Sequence, residues 1–205
     1  MKQTVAVFLT CTEDLGPVES RCLPLLTETR RMAAKNCKNR SARLRGIASG
    51  LLLRHVLDVR SDEDLSQNEY GKPYLRSGRL QFNLSNAGKY ALLAVSELPI
   101  GADIELLRED YPRVLRRYFL PEERRWLDRE PTPIRFYTLW TGLESVLKAG
   151  GVGFAQWRQR TESLLGTQGP WFIENLLYDG HMLSCAAKEA FELRLIPVSA
   201  QQLMK

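Results

Sequence analysis

Residues 101–105 read Gly101-Ala102-Asp103-Ile104-Glu105, a short strand-like run whose two acidic residues are two positions apart. In an extended strand, alternate residues point to the same side, so Asp103 and Glu105 project together and Ile104 faces the opposite, apolar side. Two carboxylates on one face repel each other unless a positive charge lies between them. A hard divalent cation such as Mg²⁺ prefers oxygen ligands and fits this pair. An exposed strand with an acidic polar face explains the pair equally well.

A second candidate pair lies further along the chain, on a predicted helix. The helix runs from about residue 133 to residue 149 and is ended by Gly150-Gly151. Glu144 and Lys148 are four residues apart, so they share one face of this helix. A solvated ion pair is the simpler interpretation of these two residues taken alone.

The elements around these motifs alternate between strands and helices. We predict strands over residues 3–9, 80–84, 90–95, 100–106, 171–177, 182–187 and 191–196, and helices over residues 18–35, 41–59, 114–119 and 133–149. The order of strands, helices and strands, followed by helices and strands, predicts an α+β fold. The midpoint near Pro99 divides it into an N-terminal lobe of residues 1–99 and a C-terminal lobe of residues 100–205.

Composition limits the class of protein. The hydrophobic content of 44% and charged content of 26% are ordinary for a soluble globular protein. The sequence contains no run of eighteen apolar residues, so we predict no membrane span. The four cysteines form no CxxC pair, which favours free thiols and a cytoplasmic location. Eight basic residues and no Asp or Glu lie between Arg30 and Leu57. This segment predicts an anionic ligand, but its lack of aromatic residues argues against nucleic acid.

A third motif, Phe82-Asn83-Leu84-Ser85-Asn86-Ala87-Gly88, connects the others. The ordered set resembles the 4′-phosphopantetheinyl transferase superfamily, in particular its stand-alone, two-lobed, surfactin-synthetase-activating class. That class has approximate signatures GKP, FNxSHSG, GxDIE and WxxKExxxK. The matching residues, spread over positions 71–153, are Gly71-Lys72-Pro73, the third motif, the run from Gly101 to Glu105, and Trp140, Glu144 and Lys148.

The resemblance implies a pseudo-two-fold pair of similar α/β lobes, each a small, mostly antiparallel sheet packed by helices, with coenzyme A in the cleft between them. It also implies Mg²⁺-dependent transfer of the 4′-phosphopantetheine arm of coenzyme A to a serine hydroxyl of an apo acyl or peptidyl carrier protein. Adenosine 3′,5′-bisphosphate is then the leaving group. No protein nucleophile is needed, because the carrier serine attacks the phosphorus.

The resemblance also assigns site residues. The Mg²⁺ ligands are expected to be Asp103, Glu105 and Glu144, and Glu144 is also the expected general base. Lys148 is expected to neutralise charge on the phosphates. The residues expected to hold coenzyme A are Arg30, Arg45, Lys72, Ser85, Asn86 and Lys148.

Three positions depart from the signatures, and at one of them Ala87 replaces a small hydroxyl residue. Asn86 stands where the class has His, and Leu143 stands where it has the Lys before the glutamate. Asn keeps hydrogen-bonding capacity but cannot become a cation, and Leu removes a cation altogether. The alternative to an active transferase is therefore a divergent, non-catalytic relative that binds coenzyme A or a carrier domain.

A basic and apolar segment follows the acidic strand and is a candidate for carrier docking. It contains Arg113, Arg116, Arg117 and Phe119. Carrier proteins are typically acidic, so charge complementarity favours docking here, although an ordinary solvated helix face is the simpler interpretation. The resemblance also implies a monomer, in which two fused lobes supply both halves of the cleft.

Overall fold

The computed structural model describes residues 3–152, 160–166 and 169–205, with all their side chains except that of Arg113. Within these ranges, no helix is long and apolar enough to cross a membrane. The strands are β1 (Gln3–Cys11), β2 (Leu65–Gln67), β3 (Pro73–Leu75), β4 (Gln81–Ala87), β5 (Tyr90–Ser96), β6 (Gly101–Leu106), β7 (Phe172–Tyr178), β8 (His181–Ala187) and β9 (Phe191–Pro197). The α-helices are α1 (Glu19–Cys22), α2 (Glu28–Asn36), α3 (Arg40–Leu57), α4 (Pro121–Arg129), α5 (Pro133–Gly150) and α6 (Ala200–Leu203). Short 3₁₀ helices cover Glu13–Val18, Leu23–Leu25, Asp62–Asp64 and Arg113–Tyr118.

Two sheets form the centre of the molecule. The first has the strand order β4-β5-β1-β9, in which only the β1–β9 pair is parallel. The second has the order β6-β8-β7 and is antiparallel. The predicted lobe boundary near Pro99 falls in the connection between β5 and β6, and β9 then returns the chain to the first sheet.

The apolar residues form layers on both sides of the first sheet. Leu93 on β5 packs toward helix α3, together with Ile47 and Leu52. Its neighbour Leu92 faces the second sheet and packs with Ile104 on β6. Because strand β5 is covered on both faces, its sequence is a continuous apolar run rather than an alternation.

Helix α5 covers the outer face of the second sheet, and local sequence signals set both of its ends. Thr132 caps the start, where its hydroxyl accepts a hydrogen bond from the backbone N–H of Arg135 at 3.3 Å, and Pro133 occupies the first turn. Gly151 ends the helix in the left-handed conformation, with φ of 69°. These bounds place Glu144 and Lys148 on one face of α5, with Lys148 in its last turn.

The predicted α+β fold is confirmed. Small antiparallel sheets are packed by helices on their outer faces, and the two sheets face each other across a shared apolar layer. This arrangement brings β4, at the edge of the first sheet, next to β6, at the edge of the second.

Candidate functional site

Strands β4 and β6 are joined by side chains rather than by a strand ladder. The side-chain oxygen of Asn83 accepts a hydrogen bond from the backbone N–H of Ala102 at 3.0 Å. Two residues further along each strand, the hydroxyl of Ser85 accepts one from the N–H of Ile104 at 3.4 Å. Asp103 therefore lies between two residues of β6, Ala102 and Ile104, whose backbone N–H groups are held by side chains of β4.

Asp103 is at the centre of the site and is only 4% exposed. Its Oδ1 accepts hydrogen bonds from the Ser85 hydroxyl at 2.7 Å and from Lys148 Nζ at 2.6 Å. Lys148 Nζ also lies 4.0 Å from Glu144 Oε2. Within the described residues, the Oδ2 atom of Asp103 is buried without any hydrogen-bond partner. A buried carboxylate oxygen in this state is costly and marks a position that favours a cation.

The charges of Asp103, Glu105 and Glu144 act on one another. Burial, with a smaller contribution from the charge of Asp103, raises the pKa of Glu144 to about 7, and Lys148 opposes the shift. Burial also raises the pKa of Glu105, with Asp103 again adding to the effect. A hydrogen bond from Trp140 and the charges of Lys148 and Arg108 oppose that second shift.

These residues suit a hard cation in donor type and charge, since all three offer carboxylate oxygens and one such oxygen is unpartnered. They are not assembled as a ligand set. In the described part of the chain, no three His, Cys, Asp or Glu side chains are grouped to hold a metal ion. The ammonium group of Lys148 instead contacts Asp103, with Nζ 2.6 Å from Oδ1.

Two cavities flank the carboxylates. The larger has a volume of about 590 Å³ and the smaller about 290 Å³. Glu105 lines the larger cavity, together with Arg45, Asn86, Arg108, Tyr137 and Trp140. Glu144 and Lys148 line the smaller one, together with Tyr70, Lys72 and Asn83. One cavity thus lies on the Glu105 side of the carboxylates and the other on the Glu144 side.

Lys72 reaches the smaller cavity from the first lobe. Its Nζ donates to the backbone oxygens of Ile100 at 3.2 Å and Ala149 at 3.4 Å, and burial lowers its pKa to about 8. The turn that carries it is fixed by Asn68, whose side chain accepts from the N–H of Lys72 and donates to the oxygen of Gly151, both at 2.9 Å. The sequence-predicted Lys72 is thus held against the end of helix α5.

The other predicted nucleotide contacts are divided between two places. Arg45 and Asn86 lie together at the larger cavity, where Arg45 Nε donates to Asn86 Oδ1 at 3.0 Å. Arg30 instead lines a separate depression of about 190 Å³, next to Arg43. Burial lowers the pKa of Arg30. Neither of the two cavities beside the carboxylates is lined by Arg30.

The structure corrects one part of the predicted docking segment. Phe119 is 1% exposed and packs edge-to-face against Phe136, so it belongs to the core and cannot contact a partner at the surface. Arg116 forms an ion pair with Asp128, and the exposed Arg117 donates to the Tyr118 hydroxyl at 3.0 Å. The side chain of Arg113 lies outside the described residues.

Sequence reasoning missed the contacts that hold the carboxylates. Asn83 had no assigned role, and Ser85 was expected at the nucleotide rather than at Asp103. The two-residue spacing of these polar side chains on an apolar strand is the signal that points to them, because alternate residues share a face. Leu143 is fully buried in the apolar cluster under α5, so its position now contributes to packing.

Comparisons with known proteins show which proteins this chain is similar to. The family model described as the 4′-phosphopantetheinyl transferase superfamily matches residues 99–178. The chain is 32% identical over 162 residues to 4′-phosphopantetheinyl transferase HetI of Nostoc sp. (strain PCC 7120 / SAG 25.82 / UTEX 2576), covering 72% of this chain and 68% of that protein. It is 29% identical over 162 residues to 4′-phosphopantetheinyl transferase Sfp of Bacillus subtilis (strain 168), covering 71% of this chain and 72% of that protein. It is 28% identical over 162 residues to 4′-phosphopantetheinyl transferase gsp of Aneurinibacillus migulanus, covering 70% and 68% respectively.

Proposed function

The chain belongs to the 4′-phosphopantetheinyl transferase superfamily, and from this premise we propose that it transfers the 4′-phosphopantetheine arm of coenzyme A to a carrier protein. The acceptor is a serine hydroxyl of an apo acyl or peptidyl carrier protein. A bond forms between the serine oxygen and the phosphorus that bears the pantetheine arm. The bond from that phosphorus to adenosine 3′,5′-bisphosphate breaks, and the serine loses its proton.

The observation that carries this proposal is the position of Asp103, Glu105, Glu144 and Lys148 between two cavities. Coenzyme A has a pyrophosphate between two long arms, and a site with charge at the centre and space on both sides matches that distribution. Displacement at phosphorus builds charge on the phosphate oxygens, which cationic groups stabilise. Lys148 supplies one such group.

Glu144 is proposed as the general base. Its pKa of about 7 lies close to neutral pH, where a carboxylate is an effective proton acceptor. Its side chain lines the smaller cavity beside Lys148, so it faces the space in which the phosphates are proposed to lie. The proton of the attacking serine goes to this carboxylate, directly or through one water molecule.

We propose that Asp103, Glu105 and Glu144 hold Mg²⁺ when coenzyme A binds. The ion would neutralise charge on the pyrophosphate and so stabilise the transition state. The buried, unpartnered Asp103 Oδ2 and the raised pKa values of the two glutamates support a cation here. With the ion bound, Lys148 would be released from Asp103 to contact the phosphates.

Cationic and polar residues on both sides of the carboxylates are proposed to hold coenzyme A. Lys72 and Lys148 line the smaller cavity, while Arg45 and Asn86 line the larger one. Arg30 is proposed to contribute only to the positive field of the first lobe, since it lines a separate depression.

The proposed transfer is tested by intact-mass measurement of an apo carrier protein after incubation with coenzyme A, Mg²⁺ and this protein. The expected result is a mass increase equal to one phosphopantetheine arm, and none with the Asp103→Ala variant. Removing Asp103 takes away a carboxylate that the proposal requires, so transfer should fall by at least about a thousandfold. Circular dichroism of the variant checks that the fold is retained.

An unmodified carrier across acyl and peptidyl types, with folded wild-type protein, would contradict the proposed transfer. Calorimetry then decides the second candidate function, a non-catalytic binder of coenzyme A or a carrier domain. That candidate is favoured by Leu143, which places an apolar side chain in the core where the signature has a lysine.

We propose that the carrier docks on the surface of the Arg113–Tyr118 3₁₀ helix, at Val114 and Arg117. Val114 is 64% exposed, and Arg117 is exposed beside it. Leu115 of the same helix lines the larger cavity, so a carrier bound here is next to the proposed site. An exposed apolar side chain together with an exposed arginine suits an acidic partner.

Reversing the charge of Arg117 tests this docking surface. Arg117→Glu is expected to raise the KM for the carrier roughly threefold to tenfold while leaving kcat within about twofold, and the effect should shrink with added salt. Arg79→Glu, an exposed arginine on the β3–β4 connection, is the matched control and should change neither constant. Equal KM values for the two variants would remove Arg117 from the docking surface.

A further inference from the structure

The hydroxyl of Ser85 has no hydrogen-bond donor left for a phosphate oxygen. A serine hydroxyl offers one donor and two acceptor positions. Its donor goes to Asp103 Oδ1 at 2.7 Å, and its acceptor positions receive the N–H of Ile104 at 3.4 Å and Lys148 Nζ at 3.3 Å. Ser85 is also only 8% exposed. These contacts argue against Ser85 as a phosphate contact.

The same contacts control where the Asp103 carboxylate points. Asn83 and Ser85 are two residues apart on β4, and they accept from Ala102 and Ile104, which are two residues apart on β6. This spacing fixes the register between the two strands. The Ser85 hydroxyl then holds one carboxylate oxygen, so that the other, Oδ2, is left buried and without a hydrogen-bond partner among the described residues.

We infer that Ser85 is a positioning residue: it orients Asp103 for the cation and does not bind the nucleotide. The inference rests on the proposed function, because it assigns Asp103 as a Mg²⁺ ligand. Groups that hydrogen-bond to a metal ligand fix its orientation and its basicity, and their loss typically weakens metal binding about tenfold to a hundredfold. A nucleotide contact would instead affect binding of the bisphosphate.

The two roles are separated by two binding measurements on the purified, full-length chain. Mn²⁺, used in place of Mg²⁺, is titrated by electron paramagnetic resonance. Adenosine 3′,5′-bisphosphate is titrated by calorimetry in the presence of EDTA. Ser85→Ala is expected to weaken Mn²⁺ binding about tenfold to a hundredfold. Metal-free bisphosphate affinity should stay within about twofold of the wild type.

Two further variants separate positioning from loss of structure. Ser96→Ala removes another buried serine hydroxyl, one that contacts Gln3 and the N–H of Leu98 away from the carboxylates. It should leave Mn²⁺ affinity unchanged even if its melting temperature falls as much as that of Ser85→Ala. Ser85→Thr keeps the hydroxyl and should restore Mn²⁺ affinity.

The outcomes distinguish this inference from the proposed function. If the wild type binds Mn²⁺ and Ser85→Ala binds it equally well, the positioning role is overturned while the metal site stands. The role is also overturned if Ser85→Ala loses bisphosphate affinity instead. A wild-type chain that binds no Mn²⁺, with or without bisphosphate, overturns the metal site and this inference together.

Discussion

Glu144→Gln is expected to abolish carrier modification and, at the same time, to stabilise the metal-free protein above neutral pH. Transfer should fall by at least about a thousandfold, because an amide can neither accept the serine proton nor serve as a carboxylate ligand. Stability should rise because the amide has no charge to bury beside Asp103. Loss of transfer together with a gain in stability is the result expected if the Glu144 carboxylate is required for function and destabilises the fold.

The pH dependence of this gain follows from the pKa of Glu144, which is about 7 in the folded chain against an ordinary value of 4.5. Between these values the folded state holds a proton that the unfolded state has released. The free energy of unfolding of the wild type therefore falls as pH rises from about 4.5 to about 7, and then levels off. The Gln variant lacks this loss, so its advantage grows to the order of 3 kcal/mol at pH 8.

Chemical denaturation of both proteins at several pH values between 4.5 and 8.5, with EDTA present, measures this difference. Glu97→Gln, which removes an exposed carboxylate on the β5–β6 connection, is the matched control and should follow the wild-type curve. Adding Mg²⁺ with adenosine 3′,5′-bisphosphate should then stabilise the wild type more than the Gln variant. Parallel curves for the wild type and Glu144→Gln would show that burial does not raise the pKa of Glu144 in this way.

Strand β6 with its two carboxylates and helix α5 could be predicted, because the sequence patterns that indicate them are local. The two-residue spacing of Asp103 and Glu105 is fixed by strand geometry, and the four-residue spacing of Glu144 and Lys148 is fixed by helix geometry. The predicted end of α5 at two glycines agrees with the left-handed Gly151 that ends the helix. Local patterns of this kind depend little on the rest of the chain.

Contacts between residues far apart in the sequence could not be predicted in the same way. The bond from Lys148 to Asp103 joins residues 45 apart in sequence, and the bond from Ser85 to Asp103 joins residues 18 apart. The sequence pattern of neither segment specifies the register between β4 and β6. The sequence therefore predicted a metal-ready carboxylate pair, whereas the structure places an ammonium group against Asp103.

Some helix boundaries and strand pairings could not be predicted, because proline or tertiary contacts determine them. The helix predicted over residues 18–35 is divided by the 3₁₀ turn Leu23–Leu25, which contains Pro24, and by the extended backbone of Leu26.

The pairing of β9 with the first sheet was also not predicted. Its alternating sequence predicts a strand but cannot choose between the two available sheet edges.

A glycine at the start of β6 is the position where one added methyl group should do the most damage. A Cβ built on Gly101 would lie 1.9 Å from the backbone oxygen of Ser145 and 2.3 Å from the backbone N of Ala149. Both atoms belong to the backbone of helix α5, which cannot yield as a flexible side chain would. Gly101→Ala therefore has to push α5 away from the second sheet.

That displacement should cost about 3 kcal/mol or more, at the upper end of overpacking effects. The melting temperature is expected to fall by roughly 6–12 °C. Transfer should fall as well, because Ser145 is next to Glu144 and Ala149 is next to Lys148 on the displaced helix. Gly46→Ala is the matched control: a Cβ at this exposed position on α3 would meet nothing within 4 Å.

Calorimetric melting of the two alanine variants against the wild type measures the contrast. Gly46→Ala should gain about 0.5–1 kcal/mol, because alanine favours a helix over glycine. Opposite signs for the same chemical change would show that the contact between β6 and α5, rather than the number of glycines, sets stability. If Gly101→Ala melts within about 1 °C of the wild type, roughly 0.5 kcal/mol, α5 does not lie as close to β6 as described. The distance between Asp103 and Lys148 would then have to be revised too.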